Sequence, residues 1–137
     1  TVITNNAAIL DGLRDEPGIT LLGLGGVYSA KFNGFFGVVT EAALSQLRAD
    51  IAFVSTPAVA DLKAFHMDDN VVRSRQKMMG AASRRCLLVN HTRFGRTALH
   101  TLADLDRFDW IITDDQPAGD AAKEIEAAGL KLMIAKD

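Results

Sequence analysis

Short apolar runs alternate along this chain with stretches of helical periodicity, and each run stops at small or polar residues. Residues 2–3 end at Thr4-Asn5-Asn6, residues 19–24 at Gly25-Gly26, and residues 51–54 at Ser55-Thr56. Residues 86–89 end at Asn90, His91, Thr92 and Arg93, residues 110–112 at Thr113-Asp114, and a last run occupies 130–134. Between them lie apolar faces spaced at three and four. One is carried by Ala7, Ile9, Leu10 and Leu13 behind an Asn5 or Asn6 cap. A second opens at Gly37 with Val39, Ala43, Leu44 and Leu47, and a third spans 70–83. A fourth holds Ala98, Leu99, Leu102 and Ala103, and a fifth spans 121–128 before Gly129. Unalternating apolar strands separated by helices predict an α/β fold, a mostly parallel sheet with helices on both faces. Residues 27–36 read as irregular and extended, and a long loop runs from Ser55-Thr56-Pro57 to Asp69.

A length of 137 residues fits a single domain. The single cysteine, Cys86, allows no internal disulfide, which suits a reducing cytoplasm. No apolar run nears the roughly 18 residues of a membrane span, and no signal peptide opens the chain. It begins at Thr1-Val2 without a methionine, so we expect a fragment truncated on its N-terminal side. A net charge of −2 gives no global reason for nucleic-acid binding.

Charge is nevertheless uneven. From Asn70 to Ala103 there is no Asp or Glu, yet there are seven basic residues: Arg73, Arg75, Lys77, Arg84, Arg85, Arg93 and Arg96. This predicts a pocket for a small anion, a phosphate above all, at the carboxyl ends of the strands. Arg75 falls in the middle of the inward stripe of Val71, Val72, Met78, Met79 and Ala82, where a guanidinium needs a partner. A ligand phosphate gripped by its fork of donors competes with a structural ion pair or a snorkelling stem. Arg93, just past a strand end, is the second anion candidate, against a solvated loop arginine. Asn90 and Thr92 can bond a ligand hydroxyl or cap the next helix. Asn5, Gly25 and Gly26 are ambiguous between ligand contact and capping or a tight turn. His66, His91 and His100 have no metal-ligand spacing, and no cofactor is expected. Asp114-Asp115, at a strand end, can bind hydroxyls but reads first as a cap, and Cys86 reads as core.

In order along the chain come Val2-Ile3-Thr4-Asn5, Leu24-Gly25-Gly26, Phe36-Gly37, Ala49-Asp50, residues 75–79, residues 88–94, and 108–114 with its Ile-Ile-Thr-Asp. This ordered set resembles the C-terminal sensor domain of DeoR-family bacterial transcriptional regulators. The resemblance implies a fold similar to ribose-phosphate isomerases and CoA transferases. It also implies an effector that is a phosphorylated sugar or related metabolite, and no catalysis. DNA would be bound only through an N-terminal helix-turn-helix, expected upstream of Thr1 together with the family's Asp-x-Gly-Thr-Thr phosphate loop. Ligand contacts carried over are Asn5, Gly25, Gly26, Gly37, Arg75, Asn90 and Arg93, and a homo-oligomer is implied. The family's Asp-His-Ser/Thr-Lys-Phe stands here as Asn90-His91-Thr92-Arg93-Phe94. Its helix lysine is Arg75, and an acidic residue is replaced near Val71, so a more positive pocket is expected.

Two other functions compete with the sensor. A sugar-phosphate isomerase needs a general base near the sugar carbons, which neither Asn90 nor Val71 can be; Asp114, Asp115 and Asp61 remain, with no partner that the sequence reveals. An oligomerisation domain with a vestigial pocket needs no ligand at all.

Overall fold

The computed structural model describes residues 1–137, which form two compact units, Thr1–Leu47 and Arg48–Asp137. In the first, β1 (Val2–Thr4) pairs in parallel with β2 (Leu21–Gly23) across α1 (Ala7–Leu13). Asn6 caps α1 as expected, its side-chain oxygen accepting the Ala8 and Ile9 amides. Residues 27–36 are not irregular. They form an antiparallel pair, β3 (Val27–Ser29) with β4 (Gly34–Phe36). The pair is helped by a tilted Tyr28–Phe35 ring contact and by Asn33 at the turn, where φ is 49°. α2 (Val38–Leu44) follows Gly37, whose φ of 103° suits glycine, and buries Thr40 and Leu44.

The second unit is built on a four-stranded parallel sheet in the order β11-β10-β8-β5. Its strands are β5 (Ala49–Ser55), β8 (Ala82–Leu88), β10 (Trp110–Thr113) and β11 (Leu132–Ile134). Chain order and sheet order run the same way, so crossovers of one hand put α3 (Asp69–Ala81) and α4 (Ala121–Ala127) on the same face. That face holds Val54, Leu87 and Ile111, packed with Val72 and Met79 of α3 and Ile125 of α4. The opposite face carries Ile51, Phe53, Leu88 and Met133, all exposed to a substantial degree.

Two sequence expectations fail here. The long loop before Asp69 contains a hairpin, β6 (Ala58–Ala60) and β7 (Lys63–His66), closed by Asp61 and Leu62 with φ near 53° and 58°. Thr56 stitches this hairpin by donating to the Phe65 carbonyl. The helix expected after Arg96 is instead β9 (His100–Asp104), antiparallel to β7. Its Leu102 is buried between the more exposed Thr101 and Ala103, a strand alternation that the spacing of Leu99 and Leu102 disguises.

Nor does the basic run form one cluster. Arg85 is half-buried and commits its guanidinium to main-chain oxygens: Nε donates to Arg107 (2.8 Å), and Nη1 donates to Met79 (3.2 Å) and Ala82 (3.0 Å). It thereby satisfies carbonyls at the C-terminus of α3. Arg84 lies exposed with its guanidinium 5.3 Å from the Trp110 ring centroid. Replacing Arg85 by Ala should therefore cost about 2 kcal/mol, since charged donors lose several acceptors at once. Arg84→Ala should cost about 0.5–1 kcal/mol. Urea denaturation of both variants checks the contrast, and equal losses would contradict it.

Candidate functional site

Parallel strands bring their carboxyl ends to one rim, and the second unit's rim carries most of the polar groups singled out from its sequence. β8 runs through Val89 into Asn90 and a single 3-10 turn, His91–Arg93. Asn90 caps this turn: its Oδ1 accepts the Thr92 amide (2.9 Å) and the Thr92 hydroxyl (2.6 Å). The neighbouring strand β10 is followed by Asp114, whose carboxylate reaches across to the turn. It accepts the His91 amide (2.7 Å) and Asn90 Nδ2 (3.2 Å), and lies 3.0 Å from His91 Nδ1. The His91 amide, then its ring, pulls the Asp114 carboxyl down to about 2, so it stays ionised at neutral pH. A cavity of about 340 Å³ opens beside this cluster, lined by Leu88, Val89, Asn90, Ile112, Thr113, Asp114 and Ala135.

Downstream, the turn is tied to the small antiparallel sheet. Gly95 and Arg96 amides donate to the Val59 carbonyl, at 2.8 and 3.3 Å, and Phe94 bridges to Val59. Arg93 sits between these two anchors, exposed, and its side chain makes no hydrogen bond or ion pair within the chain. Its role as an anion contact thus stays compatible with its geometry.

Arg75 lies on α3, whose inward residues are Val71, Val72, Ser74, Met79 and Ala81. The helix starts behind Asp68, whose side chain accepts the Val71 amide, and it docks on β9 through Gln76 Nε2 to the Leu102 carbonyl (3.0 Å). The inward placement expected from the stripe is observed: Arg75 is half-buried, and its Nη1 is fully buried with no hydrogen-bond partner. The buried Ser74 hydroxyl beside it is also unbonded. Burial pushes the Arg75 guanidinium down to about 10, with no carboxylate opposing the shift. The structural ion pair weighed for this residue is absent. No hydrogen bond joins Arg75 to Arg93 or Asn90.

In the first unit the expected contacts separate by role. Asn5 Nδ2 donates to the Phe35 carbonyl (2.8 Å), and its own carbonyl accepts the Phe35 amide, so Asn5 holds β4. Gly25 offers its carbonyl to the Thr40 hydroxyl, and a Cβ there would meet open space. Gly26 is different. With φ at 146°, an added Cβ would lie 2.2 Å from Thr40 Oγ1 and 2.7 Å from the Phe36 carbonyl oxygen. Gly37 has open space around it and serves as the N-cap of α2.

The model of the DeoR C-terminal sensor domain family matches residues 1–115 of this chain. The chain belongs to this family. Among relatives of this DeoR sensor domain, the L-fucose operon activator of Haemophilus influenzae is 31% identical over 116 residues, covering 83% of this chain and 46% of that protein. The HTH-type transcriptional repressor GlcR of Bacillus subtilis is 27% identical, covering 98% and 52%. The glycerol-3-phosphate regulon repressor of Escherichia coli is 24% identical, covering 85% and 46%. The chain spans about half the length of these curated relatives. No helix of the DeoR sensor domain is long and apolar enough to cross a membrane.

The sequence reads Asp114 first as a cap and second as a hydroxyl-binding group, and does not pair it with His91 or Asn90. Its bonds to His91 and Asn90 depend on β8 and β10 being neighbours, and the signal available is that both strand ends are polar.

Proposed function

We propose that this sensor domain binds a phosphorylated sugar or a related anionic metabolite, with Arg75 and Arg93 contacting the anion, and that occupancy controls DNA binding by the whole protein. The observation that carries this reading is the buried, unpartnered Arg75 Nη1. A desolvated guanidinium without a carboxylate is costly, and a phosphate oxygen would supply both an acceptor and an opposite charge. The name of one relative, the glycerol-3-phosphate regulon repressor, is in keeping with a phosphate ester. DNA would be contacted by a separate domain of the full-length protein, working as a symmetric homo-oligomer in the cytoplasm, as regulators of two-fold operators do.

The module binds its ligand without transforming it. At the rim the position that would suit a general base is an amide, Asn90, and the one carboxylate beside it, Asp114, is engaged with His91 and Asn90. Titration calorimetry of the full-length protein against a panel of sugar phosphates and their unphosphorylated sugars tests this. Phosphate esters should bind, the free sugars should bind at least tenfold more weakly, and Arg93→Ala should weaken the esters at least tenfold. Equal affinity for ester and free sugar would remove the phosphate from the proposal.

A further inference from the structure

We propose that Asp114 is a positioning residue for the ligand site: by clasping the main chain of His91 and the side chain of Asn90, it fixes the turn that presents Arg93. The inference rests on the reading of Arg93 as an anion contact, and goes beyond it by assigning the effect to a residue that need not touch ligand.

The turn has little to hold itself together. Its one internal main-chain bond is from the Arg93 amide to the Asn90 carbonyl (2.9 Å), and the 3-10 turn is three residues long. Such short turns keep a single conformation only when neighbours over-determine them. On the downstream side, Val59 does this through the Gly95 and Arg96 amides. On the upstream side, the Val89 amide donates to the Ile112 carbonyl (2.9 Å), and beyond it one carboxylate, that of Asp114 just past β10, engages two consecutive residues by the main-chain and ring nitrogens of one and the amide nitrogen of the other. Arg93 lies between the two anchors with its side chain uncommitted.

Asn90 is drawn into the same device. Its Oδ1 is occupied by Thr92 and its Nδ2 by Asp114, so it transmits the clasp into the turn, with one N–H left for other partners. An aspartate in place of Asn90 would set a second carboxylate against Asp114. The amide found here instead donates to it. This asparagine thus lets an ionised Asp114 serve as the anchor.

The prediction is one of non-additivity. Inorganic phosphate is titrated into the full-length protein and into Asp114→Ala, Asp114→Asn, Arg93→Ala, Arg75→Ala and two double variants. Asp114→Ala should weaken phosphate at least fivefold. Combined with Arg93→Ala it should add less than twofold to the Arg93→Ala effect, because the cation it positions is already gone. Combined with Arg75→Ala the two effects should multiply. Asp114→Asn keeps an oxygen for the His91 amide but turns an N–H toward Asn90 Nδ2, and should fall between wild type and Asp114→Ala. Asp114 is exposed, and circular dichroism of the variants should match wild type. If phosphate binds wild type and Asp114→Ala alike, or if the Asp114 and Arg93 effects multiply, the positioning role is overturned while the anion site stands. If phosphate does not bind wild type, the anion reading fails and this inference falls with it.

Discussion

Arg75→Met should move stability and affinity in opposite directions. The variant should unfold about 1 kcal/mol less readily than wild type, about 4 °C in melting temperature, while losing affinity for a phosphate ester by about a hundredfold or more. Both effects have the same origin. Nη1 is buried without a hydrogen-bond partner on a helix whose inward residues include Val71, Val72 and Met79, so methionine, which keeps the stem and removes the cation, relieves a desolvation cost. The gain is modest because the side chain is only half-buried and the rest of the guanidinium can reach water. In the occupied protein the same nitrogen would gain a charged acceptor, and that contact is what the variant cannot make. Thermal melts with and without ligand, alongside calorimetry, measure the two quantities independently. A structural arginine would lose stability on substitution and leave affinity alone, which would sink the ligand role.

Gly26→Ala should destabilise the fold by about 3 kcal/mol or more, with Gly25→Ala changing it by about 0.5 kcal/mol or less. The neighbouring glycines look equivalent in sequence, yet only one is hemmed in. At Gly26 the new methyl would sit 2.2 Å from the Thr40 hydroxyl and 2.7 Å from the Phe36 carbonyl oxygen, and the φ of 146° is one that a side chain opposes. Thr40 is fully buried and donates to the Gly25 carbonyl, so it cannot swing aside without leaving that acceptor bare. At Gly25 the methyl would meet nothing within 4 Å. Chemical denaturation of the two variants decides the matter. Comparable losses would mean that the packing described around Gly26 is not what requires the glycine.

The elements legible in the sequence are those whose signals are local. Asn6 announces α1 because its cap lies within three residues, and Gly129, with φ at 77°, closes the last helix for the same reason. The strands β5, β8 and β10 stand out because apolar residues occupy both of their faces, Val54, Leu87 and Ile111 in the core and Ile51, Phe53 and Leu88 on the exposed side, and the spacing of Val71, Val72 and Met79 alone places Arg75 inward. The features that escape depend on partners far along the chain. The β6–β7 turn uses Asp61 and Leu62 at positive φ, where a glycine or asparagine would have flagged it. Segment 98–103 carries apolar residues compatible with a helix, and its pairing with β7, more than thirty residues upstream, decides for a strand. Arg85 reads as part of an anion site because its acceptors, Met79, Ala82 and Arg107, are main-chain carbonyls that no side-chain pattern reveals.

α3 ends at Ala81 and β8 begins at Ala82, with no residue between them. A junction without slack cannot absorb an insertion. One extra residue there would rotate every β8 side chain to the opposite surface, turning Leu87 out of the interior and driving Arg84 or Leu88 into it. In this chain the direct junction therefore couples the spacing from Arg75 to the Asn90 turn to the register of β8 in its sheet.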